Sequence, residues 1–270
     1  MSDWYVVAPV STRVPDVDLA AARDLAIELA QKAGDLAVQH AASAAALPKG
    51  HAGDVVTHVD QEAERLIAAV INAVYPDHAV LGEEFGLQDD PDAEYRWLVD
   101  PLDGTNNYVL GLDLYGVCIT LCRRGEPLVA VVHDSARGRS YAAIVGHGAT
   151  LNGTPVRMLA PEPLDRVTVS WLQGYAVGAD DPAGQRMFRS LERSCKRVLR
   201  TWAPSIDWGL IAVGRVAAMI AYRNEPWDLV GGALIAREAG ADVLTSADGE
   251  IVLVAHPDII TELAALAGIE

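Results

Sequence analysis

Four short stretches of this chain place carboxylates where they could support metal-assisted chemistry. The sharpest runs Trp97-Leu98-Val99-Asp100-Pro101-Leu102-Asp103-Gly104-Thr105-Asn106-Asn107-Tyr108. An apolar strand ends there in Asp100. Pro101 keeps Asp100 extended, because the residue before a proline avoids the helical region. Gly104 permits a tight turn, and Thr105 can begin the next helix. Two carboxylates at the end of one strand repel each other unless a hard cation lies between them. Backbone N–H groups of Gly104 and Thr105 at a helix start suit phosphate oxygens. Taken alone, the stretch also reads as a strand followed by a capped turn, its aspartates serving as N-caps.

The other three stretches carry acid at the ends of apolar runs. Leu81-Gly82-Glu83-Glu84 is a strand end with two glutamates, or a solvated loop pair. Asp228, after Pro226-Trp227, opens the apolar run 229–240, where an aspartate alone would interact favourably with the helix dipole. In Asp54-Val55-Val56-Thr57-His58-Val59-Asp60, Asp60 begins a helix and ordinary capping would account for it.

The elements that must position these residues follow from apolar spacing. Leu19, Ala22, Leu25, Leu29, Ala33 and Leu36 recur at helical intervals from Asp18, and a loop follows at 47–50. A second helix is predicted from Asp60 to Val74, stopped by Pro76. Strands are predicted at 79–81, 97–99, 117–121, 129–132, 141–145, 167–170, 198–199 and 252–255, with Asn152-Gly153 as a turn between extended segments. Further helices are predicted at 205–213, 228–239 (with Gly240 as its cap) and 258–267. The irregular alternation argues for α+β or layered α/β with mixed sheets. Residues 1–17 read as an extension and 18–270 as a single domain, with a break near 150–165 that could separate halves 18–155 and 156–270.

The chain has 270 residues, 51% of them hydrophobic, enough for one large core. No run of about 18 apolar residues predicts a membrane span, and no basic-then-apolar leader precedes the first helix. The net charge of -16 argues against a nucleic-acid partner, which needs clustered Lys and Arg. It also means that an anionic substrate needs a local reversal of the field, which bound cations would supply. Cys118, Cys122 and Cys195 have no metal-type spacing and read as reduced core thiols, consistent with a cytoplasmic protein.

In their order along the chain, these segments resemble the inositol monophosphatase family, a branch of the lithium-sensitive, magnesium-dependent phosphatases. Asp100 to Thr105 matches the family's central Asp-Pro-Ile/Leu-Asp-Gly-Thr signature, Gly82 to Glu84 its Gly-Glu-Glu element, and Val56 to Asp60 its Val-Thr-x-x-Asp element. Trp227 to Gly240 matches the late Trp-Asp helix ending in Glu-Ala-Gly, and Gly148 to Gly153 resembles the glycine-rich hairpin. The resemblance implies a layered αβαβα sandwich, a homodimer, and hydrolysis of a small phosphorylated metabolite. It implies that Glu83, Asp100 and the carbonyl of Leu102 hold one Mg²⁺, and that Asp100, Asp103 and Asp228 hold a second, with a third ion near Glu83. Thr105 and Asp60 would orient and deprotonate the attacking water, and Asp103, Gly104, Thr105 and Asp228 would meet the substrate.

The match thins where the substrate's alcohol would sit. Trp202-Ala203-Pro204-Ser205 stands where polyol-cleaving members often have Gly-Ser-Ala, and Ala221 where they often have a glutamate. Glu225 is the nearest acid but is out of register. Trp202 offers a ring to stack on, although core packing is the commoner use of tryptophan. Lys49 reads either as a phosphate-steering residue or as a solvated loop lysine. The expected activity is therefore a polyol, cyclitol or sugar phosphatase. The alternatives are a histidinol-phosphate or nucleotide-bisphosphate phosphatase, and a non-catalytic binding or regulatory protein on the same fold.

Overall fold

The structure is a computed structural model that describes residues 16–42, 45–49 and 54–269. Residues 1–15 of the expected extension, and Gly50 of the expected loop, lie outside the described residues. Helix α1 (Leu19–His40) starts where Asp18 accepts hydrogen bonds from the backbone N–H groups of Ala20 and Ala21, both at 3.0 Å. Two short antiparallel strands, β1 (Leu47–Pro48) and β2 (Val55–Val56), lead into α2 (His58–Val74). The chain then forms β3 (Ala79–Gly82), β4 (Gly86–Gln88), β5 (Tyr95–Asp103), α3 (Thr105–Leu110), β6 (Gly116–Arg123), β7 (Glu126–Asp134), β8 (Arg139–Ile144), β9 (Ala149–Leu151) and β10 (Thr154–Val156). It continues with β11 (Thr168–Gln173), α4 (Pro182–Ser194), β12 (Arg197–Leu199), α5 (Pro204–Ala212), β13 (Ala218–Tyr222), α6 (Pro226–Glu238), β14 (Asp242–Thr245), β15 (Ile251–Ala255) and α7 (Pro257–Ala267).

Strands β3 to β10 form an eight-stranded sheet in the order β10-β9-β8-β7-β6-β5-β3-β4, and β11 to β15 a five-stranded sheet in the order β12-β11-β13-β15-β14. Both are mixed: β3 runs parallel to β5, and β11 runs parallel to β12 and β13, among otherwise antiparallel pairs. Helices α1 and α2 cover one face of the larger sheet through a core that includes Leu29, Ile67 and Trp97. Helices α5 and α6 fill the space between the sheets, around Trp208, Ala233 and Met219. Helices α4 and α7 cover the outer face of the smaller sheet, around Leu191, Leu263 and Trp171. The result is five layers, αβαβα. Strands β6 and β7 are apolar on both faces because helices press on both sides.

Local chemistry explains several elements. Asn152 and Gly153, at φ +48° and +78°, form the two-residue turn between β9 and β10, as their dipeptide predicts. Glu238, at the end of α6, accepts the backbone N–H groups of Gly146 and Gly148 at 2.7 Å each, so this glutamate ties the helix end to the turn before β9. Six elements lie outside those the apolar spacing predicts: β1, which pairs with β2 where a loop is expected at 47–50, β2 itself, β4, α4, β13 and β14. Helix α4 buries only Gly184, Met187 and Leu191 on a largely polar segment, and β13 lies in an unbroken apolar run that alone fits helix or strand equally.

Candidate metal centre and active site

The acidic pair at the end of β5 depends on a bulge. Asp100 faces Cys118 and Asp103 faces Gly116, so three steps along β5 meet two along β6. In a regular strand, residues three apart point to opposite faces. The extra residue brings Asp103 back towards Asp100, and a bulge is also where a sheet tolerates a proline such as Pro101. Asp228, in the first turn of α6, completes the group. One carboxylate oxygen from each of Asp100, Asp103 and Asp228 lies within 4.8 Å of the others.

These groups are crowded and dry, with Asp100 and Asp103 only 2% and 5% exposed. Burial, then the nearby charges of Glu83, Asp103 and Asp228, push the Asp100 carboxyl well above the usual range. Burial raises Asp103 to about 7, against the backbone N–H of Ser205, which donates to its Oδ2 at 2.6 Å. Burial and then the Asp103 charge likewise raise Asp228. The donors are all hard oxygen atoms, the set that suits Mg²⁺, and a divalent cation would relieve their repulsion. The residues therefore fit a hard cation.

Glu83 stands at the end of β3, its N–H bonded to the Val99 carbonyl at 3.1 Å. Lys49 Nζ donates to Glu83 Oε1 at 2.7 Å and to Glu84 Oε1 at 2.6 Å, so Lys49 is a half-buried bridge and not a solvated loop residue. Burial alone would lower the Lys49 pKa, but the two glutamates outweigh it and hold the ammonium above its ordinary range. Beneath them, the buried Glu64 carboxylate accepts the N–H groups of Glu84 at 2.7 Å and Phe85 at 3.1 Å. Sequence reasoning missed Glu64. Its signal was its place four residues after Asp60, on the same face of α2.

Asp60 caps its helix and also reaches the site. Its Oδ2 accepts the Thr57 N–H at 2.9 Å and the Thr57 hydroxyl at 2.5 Å, closing a capping box. Its Oδ1 remains available and accepts the Thr105 hydroxyl at 2.9 Å. The same hydroxyl lies 2.9 Å from the Leu102 carbonyl. Gly104, at φ +81°, makes the turn between Asp103 and Thr105. A Cβ there would meet the Leu114 carbonyl at 2.7 Å. A cavity of about 260 Å³ collects Lys49, Glu83, Asp100, Leu102, Asp103, Gly104, Thr105 and Asp228. Asp60 supports it from below through Thr105.

The positions at which the sequence match thins fall in different places. Ala221 lies in β13, buried in the core between the sheets, while Glu225, Arg223 and Trp202 line the cavity. Trp202 is 38% exposed, so it is a wall residue and not a core residue. His58 and His147 are exposed and do not line the cavity. His133 is buried on β7. Its Nδ1 is 2.9 Å from the Ser140 hydroxyl, and a Cβ at Gly34 of α1 would meet its ring at 2.7 Å, so it fills the contact between helix and sheet. Cys118, Cys122 and Cys195 are buried free thiols. No described helix is long and apolar enough to cross a membrane.

Comparison with known proteins gives a consistent answer. The chain is 33% identical over 229 residues to a Nus factor SuhB of Vibrio cholerae, covering 84% of this chain and 85% of that protein. It is 30% identical over 229 residues to the chloroplastic phosphatase IMPL1 of Arabidopsis thaliana, covering 78% of this chain and 61% of that protein. Among solved structures, SuhB of Mycobacterium tuberculosis superposes with a TM-score of 0.80 at 30% identity, covering 94% of this chain and 98% of that one. An IMPase of Thermotoga maritima superposes with a TM-score of 0.81 at 26% identity, covering 91% and 96%. The family model described as the inositol monophosphatase family matches residues 18–267, and the chain belongs to that family.

Proposed function

We propose that this protein is a Mg²⁺-dependent phosphomonoesterase acting on a small phosphorylated metabolite. The observation that carries this reading is the buried Asp100, Asp103 and Asp228 cluster in one cavity with the Thr105 hydroxyl, which is bonded to Asp60. Glu83, Asp100 and the Leu102 carbonyl would hold one ion; Asp100, Asp103 and Asp228 would hold a second. When bound, Mg²⁺ neutralises the phosphate ester and acidifies water at the site. The chain's own groups do the rest. Thr105 Oγ1 orients the attacking water by accepting its hydrogen bond and relays the proton to Asp60 Oδ1. Burial raises the Asp60 pKa, which makes its carboxylate a stronger base. Asp103 and Asp228, with the backbone of Gly104 and Thr105, would position the ester. The aspartates act as ligands and need form no bond to phosphorus.

Two substrate groups suit such a site: polyol, cyclitol and sugar phosphates, and ring-bearing esters such as histidinol phosphate or a nucleoside bisphosphate. The core position of Ala221 and the exposed Trp202 favour the second group. A fold kept for binding instead of turnover draws support from the name Nus factor borne by the Vibrio cholerae relative. We also take residues 18–270 to be one domain of a cytoplasmic homodimer, and the molar mass of the purified protein from light scattering tests the dimer. The deciding experiment is phosphate release from a panel of monoesters, with and without Mg²⁺. Mg²⁺-dependent release establishes the phosphatase. Silence across the panel, with Mg²⁺ shown to bind, favours the binding role.

A further inference from the structure

Asp207 is a buried carboxylate with no part in the chemistry above. It lies in the first turn of α5, 0% exposed. Its Oδ2 accepts two hydroxyls, Ser170 Oγ of β11 at 2.6 Å and Thr201 Oγ1 at 2.7 Å. Its Oδ1 has no partner among the described residues, so the two hydroxyls carry all of its pairing. Burial raises its pKa to about 6, against the two hydroxyls, so near pH 7.5 it is ionised and both bonds are charge-assisted. A charge in a dry interior is costly unless it is well paired, and an apolar replacement is often neutral or stabilising. The fold alone therefore does not call for a carboxylate at this position.

The Thr201 hydroxyl leads from Asp207 towards the acidic cluster. It accepts the Ala203 N–H at 3.2 Å and so closes a tight loop around Trp202. Trp202 sits at φ +54°, a backbone conformation that bulky side chains avoid and that persists only where the surroundings fix it. Its side chain is packed as well. Tyr175 stacks on it with ring centroids 5.7 Å apart, and the Arg200 guanidinium lies 4.9 Å from its ring centroid and 5.4 Å from that of Phe188. The other side of this loop grips the turn that carries Asp103 and Thr105. Asn107 Nδ2 donates to the Thr201 carbonyl at 2.7 Å. A Cβ on Gly104 would stand 3.0 Å from the Ala203 Cβ and 3.5 Å from the Trp202 carbonyl oxygen. The Ser205 N–H donates to Asp103 Oδ2 at 2.6 Å, and a fixed bond to one oxygen sets the rotation of that carboxylate. Asp207 thus ties the strained loop to β11 of the smaller sheet, while the loop holds the acidic turn at the end of β5 in the larger one.

We propose, resting on the Mg²⁺ reading above, that Asp207 is a positioning residue for the metal centre. Its bond to Thr201 holds the loop 201–205 so that the Ser205 N–H keeps Asp103 turned towards Asp100 and Asp228. Asp207 itself touches neither cation nor substrate. The Ser170 bond lies off this path: it reaches the same oxygen from the sheet side and does not contact the loop.

Mg²⁺ binding to the whole metal-free protein is measured by calorimetric titration near pH 7.5, without substrate, beside the melting temperature in EDTA. Thr201→Val keeps the shape of the side chain and removes its hydroxyl. It is expected to raise the Mg²⁺ Kd about tenfold, the scale on which groups behind a metal ligand act. Thr201→Ser restores the hydroxyl and is expected to bring the Kd back to within about threefold of wild type. Ser170→Ala removes the other donor to Asp207. It is expected to lower the melting temperature through a lost hydrogen bond and to leave the Kd within about threefold. Asp207→Ala is expected to match Thr201→Val in Kd, and where it fails to fold the Thr201 variants decide. A Thr201→Val Kd within about threefold of wild type overturns the proposal. An equal loss of affinity in Ser170→Ala also overturns it, because any loosening of this core would then weaken the site. Wild-type protein that binds no Mg²⁺ defeats the Mg²⁺ reading itself, and the role of Asp207 with it.

Discussion

Asp60 shows how one side chain can serve the fold and still be available for chemistry. One oxygen closes the capping box of α2 and the other accepts the Thr105 hydroxyl, so capping leaves Asp60 in place for the proposed proton relay. Thr105→Ala is expected to lower kcat about a hundredfold, the scale of a lost proton-transfer partner, while the Mg²⁺ concentration for half-maximal activity changes by less than about threefold. A large shift in Mg²⁺ dependence with kcat retained would instead place Thr105 among the ion's supports. Asp100→Asn is expected to abolish Mg²⁺-dependent turnover. Its melting temperature in EDTA is expected to match or exceed the wild-type value near neutral pH, because the amide is neutral already, whereas the buried Asp100 carboxyl must take up a proton on folding. Full activity in that variant would refute the ligand assignment.

The elements converge on the site through close approaches that tolerate little change. Strand β3 passes α2 so tightly that a Cβ on Gly82 would overlap the Glu64 carboxylate. Helix α6 reaches the larger sheet because Gly231 leaves room for the Thr120 hydroxyl of β6, and it packs on α5 because Gly232 leaves room for the Trp208 ring. All three contacts are structural, but only the first lies under the Glu83 loop. Gly82→Ala is expected to cost about 1–3 kcal/mol and also to weaken Mg²⁺ activation, since the displaced Glu64 no longer holds the N–H groups of Glu84 and Phe85. Gly231→Ala is expected to lower the melting temperature, by roughly 2–4 °C per kcal/mol in a chain of this size, with Mg²⁺ activation preserved. Thermal melts paired with Mg²⁺ titrations separate the two cases.

In the folded molecule the acidic cluster couples stability to pH, and on the proposed function to Mg²⁺ as well. An unfolded aspartate titrates near about 3.9, whereas Asp103 is raised to about 7 and Asp100 and Asp228 lie well above the usual range. The folded, metal-free protein thus holds these protons more tightly than the unfolded chain. The cluster's contribution to stability is full below the unfolded pKa and is lost as pH rises through the folded values. A bound Mg²⁺ would take the place of the protons and remove that loss. The melting temperature in EDTA is expected to fall from pH 5 to pH 7.5, and the gap to the Mg²⁺-loaded protein to widen. Calorimetry in two buffers of different ionisation enthalpy is expected to show proton release on Mg²⁺ binding near pH 7. A gap independent of pH, with no proton release, would mean that these carboxylates are already ionised in the metal-free protein.

Much of this was legible along the chain, because the signals are local. Helices α1, α2 and α7 follow from apolar spacing and caps, the β9–β10 turn from Asn152-Gly153, and the acidic residues from their places at the ends of apolar runs. Helix α4 and strand β13 were not, since a narrow apolar stripe and a short unbroken apolar run acquire their form only from the layer they pack against. The site divides in the same way. Residue types and order along the chain pointed to Asp100, Asp103, Asp228 and Glu83. Spacing in a strand would have set Asp100 and Asp103 on opposite faces, and only the bulge against β6 brings them together. Likewise, nothing along the chain joins Lys49 to Glu83 and Glu84, Glu64 to their loop, or Trp202 to Phe188 and Tyr175. Those pairings join residues far apart along the chain. They exist because the folded layers bring the elements within hydrogen-bond and van der Waals reach, a constraint that no local pattern encodes.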